Sequence, residues 1–176
     1  GLEVSDMARW RQFAGEVLGL VVEDGPPDTS GQPSTRLRMD EAPERLLLLS
    51  GPADDCAFAG WRLPNANALV AFCAKLDRLG LPWQAATPQE LRLRAVTAMA
   101  HFVDPAGNRH EVYWGQATAA TAFRSALVER GFVTGAGGLG HLVYEGGDYP
   151  AQRDFARDVL GLRLSDTILA EPVPGV

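Results

Sequence analysis

The chain has 176 residues, 46% hydrophobic and 22% charged, with a net charge of −6. That is enough for one core, or for one core and the start of another. Its arginines are dispersed, with no basic stripe to neutralise phosphates, which argues against nucleic acid. No apolar run approaches the roughly 20 residues that cross a bilayer, and no export signal opens the chain, so a cytoplasmic protein without a membrane partner is expected. Gly1 falls within a strand-like stretch and the chain closes on Pro-Val-Pro-Gly-Val, so both ends read as cut.

In chain order, residues 2–4 predict a short strand. Trp10, Phe13, Ala14 and Val17 follow at i, i+3, i+4 and i+7, giving a helix one apolar face while Arg9, Arg11, Gln12 and Glu16 face water. Ser5 or Asp6 can cap it, and Gly19 stands where it must stop, because glycine takes the left-handed conformation at least cost. Residues 24–34, rich in Pro and Gly, predict a surface loop, and strands are expected over 35–39, 45–49 and 57–63. A second helix covers 65–79, with Leu69, Phe72, Leu76 and Leu79 on one side and Gly80 closing it. Further strands are predicted over 91–94, 97–103 and 109–114, the last two joined by the turn-forming Asp104-Pro-Ala-Gly-Asn108. Gly, Ala and Thr dominate 116–122, a short helix is expected near 122–130, and the five glycines of 131–140 mark a boundary. A strand over 141–144, a third helix and a strand after Gly161 complete the reading.

Residues 6–24 align without gaps to residues 148–166 at an offset of 142, identical at 9 of 19 positions, among them Arg11/Arg153, Phe13/Phe155, Val17/Val159 and Gly19/Gly161. Strand, helix and several strands thus occur twice, and a third unit is begun. The expected class is α+β, with two βαβββ units in residues 1–115, a linker over 116–137 and the opening of a further domain over 138–176.

Gly135–Gly140 matches GxGxxG, but a dinucleotide site needs a strand before the glycines and a helix directly after them; a β-type run follows here, so that site is rejected. Of three histidines, His101 shares a strand face with Met99 and Val103 and reads as a satisfied core or edge residue, while His110, after a turn and between Arg109 and Glu111, is expected in solvent. His141 opens a strand directly after glycines, where a side chain can project into a concave site; spacing alone still favours an ordinary strand histidine. The carboxylate pairs Asp54/Asp55, Asp40/Glu41 and Asp154/Asp158 are expected in solvent, Cys56 and Cys73 as buried free thiols, and no GxSxG nucleophile elbow occurs.

Residues 6–19, 58–63, Asp104-Pro-Ala-Gly-Asn-Arg-His-Glu-Val-Tyr-Trp-Gly115 and above all Phe132-Val-Thr-Gly-Ala-Gly-Gly-Leu-Gly-His-Leu-Val143 resemble, in colinear order, the type I extradiol dioxygenases of the 2,3-dihydroxybiphenyl-cleaving kind. The resemblance implies the vicinal oxygen chelate fold, in which βαβββ modules pair into half-barrels, and ring cleavage of a catecholic substrate by O2. It implies Fe(II), in preference to Mn(II), on a 2-His-1-carboxylate triad that leaves positions open for both substrates. His141 maps onto the family's first histidine ligand, and Val143, on the same strand face, onto a position lining the substrate pocket. The other two ligands and the acid/base histidine map beyond Val176. In the N-terminal pair, Phe58 falls at the second-histidine place, Glu111 at the glutamate place, and the counterpart of His141 before Gly1, so Glu111 reads as a relic or structural residue. Homo-oligomers are common in the family. The competing reading is a metal-free binding or structural module of the glyoxalase/bleomycin resistance superfamily.

Overall fold

The computed structural model describes residues 1–143 and 146–167. Two mixed sheets share one design. In the first unit, β1 (Leu2–Val4) leads into α1 (Met7–Glu16), then β2 (Val21–Gly25), β3 (Ser34–Arg38), β4 (Leu46–Ser50) and the two-residue β5 (Asp55–Cys56), in the order β2-β3-β4-β1-β5. The second unit runs β6 (Ala59–Arg62), α2 (Ala66–Arg78), β7 (Trp83–Ala85), α3 (Pro88–Arg94), β8 (Ala98–Val103) and β9 (Arg109–Trp114), in the order β6-β9-β8-β7. In each, the first strand pairs parallel with the last long one, Leu2 opposite Leu48 and Ala59 opposite His110, while the remaining ladders are antiparallel. The expected α+β class, built from two βαβββ units, is the observed one, and neither sheet closes into a barrel.

Strand alternation divides the two faces of each sheet. Leu37, Leu48 and Val4 meet Ala14 of α1 on one side of the first sheet. Ala100, Phe102 and Val112 meet Leu69 and Leu76 of α2 on one side of the second. On the opposite sides, Leu47, Phe58 and Leu93 pack together and join the two units. Asp6 caps α1 by accepting from the Arg9 N–H, as Asn65 does for α2 from that of Ala68.

The strand expected over 91–94 is instead α3. Thr87 accepts from the Glu90 N–H while the Glu90 carboxylate accepts from the Thr87 N–H, a capping box with Pro88 at the first helical position. Those local bonds override the alternation of Leu91 and Leu93, and Ala95, at φ 49°, ends the helix. β7 was not anticipated, because only three residues contribute to it.

The third unit begins after a short 3-10 turn, Gly135–Gly137, and its helix α4 (Tyr149–Asp158) forms where the repeat places it, capped by Asp148. The strands expected before and after α4 do not form over 141–143 or 161–167; Tyr144, the end of the first, lies outside the described residues. A strand exists through its ladder, and at the repeat offset the counterpart of β4, which pairs with β1, falls beyond Val176. α4 lays Phe155 and Val159 into the core of the second unit beside Leu76 and Phe102. The helix expected near 122–130 is also absent: the Ser125 hydroxyl donates to the Gly19 carbonyl and accepts from the N–H groups of Leu127 and Val128, holding a turn against the end of α1.

Candidate functional site

On β9 the even residues His110 and Val112 face α2, and the odd residues Arg109, Glu111 and Tyr113 face the space between the sheets. Glu111, at 1% exposure, accepts two hydrogen bonds from Arg94 at the end of α3, 2.8 Å from Nε and 3.1 Å from Nη2, and a third of 2.9 Å from Arg109. The Arg94 guanidinium lies 3.8 Å over the Phe58 ring. Phe58 and Glu111, the residues at the two ligand places of the N-terminal pair, are therefore brought together around a guanidinium, and Glu111 is already neutralised by arginines. Glu111 thus stands in the fold as the shared ion-pair partner of Arg94 and Arg109. Arg36 of β3 binds the same cluster, donating to Glu44 at 3.0 Å and to the carbonyls of Arg92 and Leu93 at the C-terminus of α3.

Burial pushes the Glu44 carboxyl up to about 7, against the pull of Arg36 and Arg94. A carboxyl that keeps its proton longer in the folded state than in the unfolded one contributes stability that is complete below about 4.5 and lost as pH rises through about 7. Glu44→Gln is expected to flatten this part of the stability profile, checked by urea midpoints from pH 5 to 8.

A cleft of about 520 Å³ opens between the ends of β1 and β6 and the glycine-rich segment; Phe58, Trp61, Arg45, Tyr113 and His141 line it. His141 is exposed in this wall, with Leu142 beside it. Val143, 81% exposed, is not among the lining residues. The glycines of 135–140 turn through the 3-10 segment, and among the described residues the next helix starts at Tyr149. Among the described residues no three His, Cys, Asp or Glu side chains converge as a metal requires. One exposed imidazole does not hold a divalent ion against water, so the described residues do not compose a metal centre.

His110 corrects the expectation of a solvated side chain. It is fully buried, because its parity with Val112 points it under α2 and α4, where it packs with Trp61, Phe102 and Phe155. His101 lies on the other face, partly buried, 3.8 Å from Glu90. Asp40 is bound by Arg45 at 2.6 Å and not simply solvated. Both cysteines are free and half-buried. Arg94 and Glu44 were not singled out in the sequence; the Thr-Pro-Gln-Glu capping signature at 87–90 carried the signal for Arg94, and the two-residue period of β9 carried the signal that buries His110.

The paired βαβββ units define a class, and comparison with known proteins gives relatives within it. The family profile "Dihydroxybiphenyl dioxygenase BphC D1" matches residues 1–51. An iron-dependent extradiol dioxygenase of Rhodococcus jostii (strain RHA1) is 36% identical over 97% of this chain and 55% of its own length. A 1,2-dihydroxynaphthalene dioxygenase of Sphingobium xenophagum is 37% identical over 93% and 54%. The crystal structure of BphC, a halotolerant catechol dioxygenase, superposes with a TM-score of 0.86 at 36% identity, covering 94% of this chain and 54% of that one. The chain is a homologue of the extradiol dioxygenases. It spans about half the length of these relatives. No helix among the described residues is long and apolar enough to cross a membrane.

Proposed function

We propose that this chain is part of an extradiol dioxygenase that opens a catecholic ring, such as that of 2,3-dihydroxybiphenyl, with O2. The observation that carries the proposal is the 36% identity over 97% of the chain to a relative of that activity. The relatives imply a catalytic metal ion, and Fe(II) is the metal proposed, since iron is in the name of one of them. His141 is proposed as one ligand and Val143 as a substrate-pocket residue once the third unit is complete, with the remaining ligands outside the described residues. Residues 1–115 are proposed as the N-terminal domain, 116–137 as the linker and 138–176 as the opening of the catalytic domain. A homo-oligomer in the cytoplasm is the proposed setting.

When bound, the metal supplies a common site for the catecholate oxygens and dioxygen. The test is a protein extended beyond Val176 to the length of its relatives, reconstituted with Fe(II) without air and given several catechols. A yellow ring-fission product is expected; its absence with every catechol, in a folded protein, overturns the proposal in favour of a metal-free binding module. In the same protein, His141→Ala is expected to lose stoichiometric iron by metal analysis, and iron retained in full overturns the ligand assignment.

A further inference from the structure

His110 is a polar side chain placed where an apolar one would fill the same space. Its ring stacks on Phe102 with centroids 5.7 Å apart and meets Phe155 of α4 at 5.7 Å. Burying an imidazole costs free energy unless its nitrogens are hydrogen-bonded, and here both have a partner. Trp61 on β6 donates its indole N–H to Nδ1 at 3.0 Å. An indole N–H only donates, so Nδ1 must be the acceptor, and the ring proton sits on Nε2. Nε2 faces the Asp104 carboxylate at 3.3 Å, in the turn between β8 and β9.

Asp104 Oδ1 accepts from the N–H groups of Ala106 and Asn108, which fixes the carboxylate in the turn. Asp104 Oδ2, the oxygen that faces His110, also accepts from the Gln152 side chain of α4 at 2.7 Å. Donors from both sides therefore converge on Asp104: Trp61 of β6 through His110 of β9, and Gln152 of a helix that belongs in sequence to the next unit. Lys75 of α2 adds a bond of 2.9 Å to the Val159 carbonyl just past α4, where Phe155 and Val159 enter the second unit's core.

We propose that neutral His110 is a positioning residue which, through Asp104 and Gln152, seats α4 of the third unit on the second unit. Only the neutral ring serves. The cation carries N–H on both nitrogens, and the Nδ1–H would confront the Trp61 N–H. Burial already lowers the basicity of His110, with Asp104 acting in the opposite direction. Among the described residues that meet the ring, Asp104 is charged, whereas Trp61, Phe102 and Phe155 are neutral, as is Gln152 on the far side of Asp104. The inference stands whether or not His141 binds a metal.

The experiment follows hydrogen-exchange protection of α4 amides and the Trp61 indole resonance of the 176-residue chain between pH 8 and 5. In the unaltered protein, both are expected to change together in one step below 6.5, the ordinary histidine value. In His110→Gln, an amide that accepts from Trp61 and donates to Asp104 without titrating, α4 stays protected and the step disappears. His110→Leu is expected to lose about tenfold of α4 protection at pH 8, the equivalent of one or two hydrogen bonds, while β8 and β9 keep theirs. A step that persists in His110→Gln, or unchanged α4 protection in His110→Leu, overturns the proposal. If His110→Leu does not fold, Gln152→Ala decides: α4 protection must fall with the indole resonance in place, and protection unchanged there overturns the proposal.

Discussion

Arg94→Met is expected to lower folding stability by roughly 3–5 kcal/mol, because it strips a buried carboxylate of its principal partner. Glu111 is 1% exposed and takes two of its three hydrogen bonds from Arg94. Removing the guanidinium also removes its contact with the Phe58 ring. Arg109 remains at 2.9 Å, but its side chain is 32% exposed and already shared with Glu90, so it compensates only in part. The loss should therefore fall toward the lower end of the range. Two buried charges that satisfy each other are costly to separate and cheap to replace together. The double variant Arg94→Met/Glu111→Leu is accordingly expected to recover most of the stability. Urea unfolding of the single and double variants checks this; a double variant as unstable as Arg94→Met would show that the pair does more than neutralise itself. The same cluster places a cation of the chain itself, the Arg94 guanidinium, between Phe58 and Glu111.

The repeat at residues 6–24 and 148–166 was enough to place α1 and α4 and to give the third unit its start, because a helix carries its pattern in its own sequence. Most long strands were legible for the same reason, β9 to the residue. What escaped depended on partners. The run 141–143 has strand composition, yet no ladder holds it among the described residues, and composition cannot reveal that. α3 escaped because the alternation of Leu91 and Leu93 mimics a strand, and the capping box four residues upstream was the stronger local signal. His110 was placed in solvent because its neighbours Arg109 and Glu111 are charged. The parity of β9 in fact puts those two on the opposite face from the imidazole. Of the candidate site, the glycine-flanked position of His141 was readable from pattern, whereas its role as a ligand rests on resemblance alone. The guanidinium between Phe58 and Glu111 was invisible, since it joins residues 94, 58 and 111 through two elements that the sequence does not align.

Phe102→Ala carries the other large expected effect, again roughly 3–5 kcal/mol, from lost transfer free energy and an unfilled cavity. Phe102 is 3% exposed, with ring centroids 5.6 Å from Phe72 of α2, 5.7 Å from His110 and 6.2 Å from Phe155 of α4. These neighbours sit on three different elements, so the surroundings cannot collapse into the gap by moving one of them. A substitution here removes support from α2 and α4 at once. Loss of global stability, read from the urea midpoint, is therefore expected together with loss of α4 amide protection. Phe102→Leu, which keeps most of the volume, should cost less than about 1.5 kcal/mol and leave α4 in place. If Phe102→Ala lowers the midpoint while α4 keeps its protection, the helix is held by the Asp104–Gln152 bond and Lys75 more than by the aromatic cluster. If both fall together, the second unit and the helix of the third share one core, and the linker between them joins two parts of a single packed body.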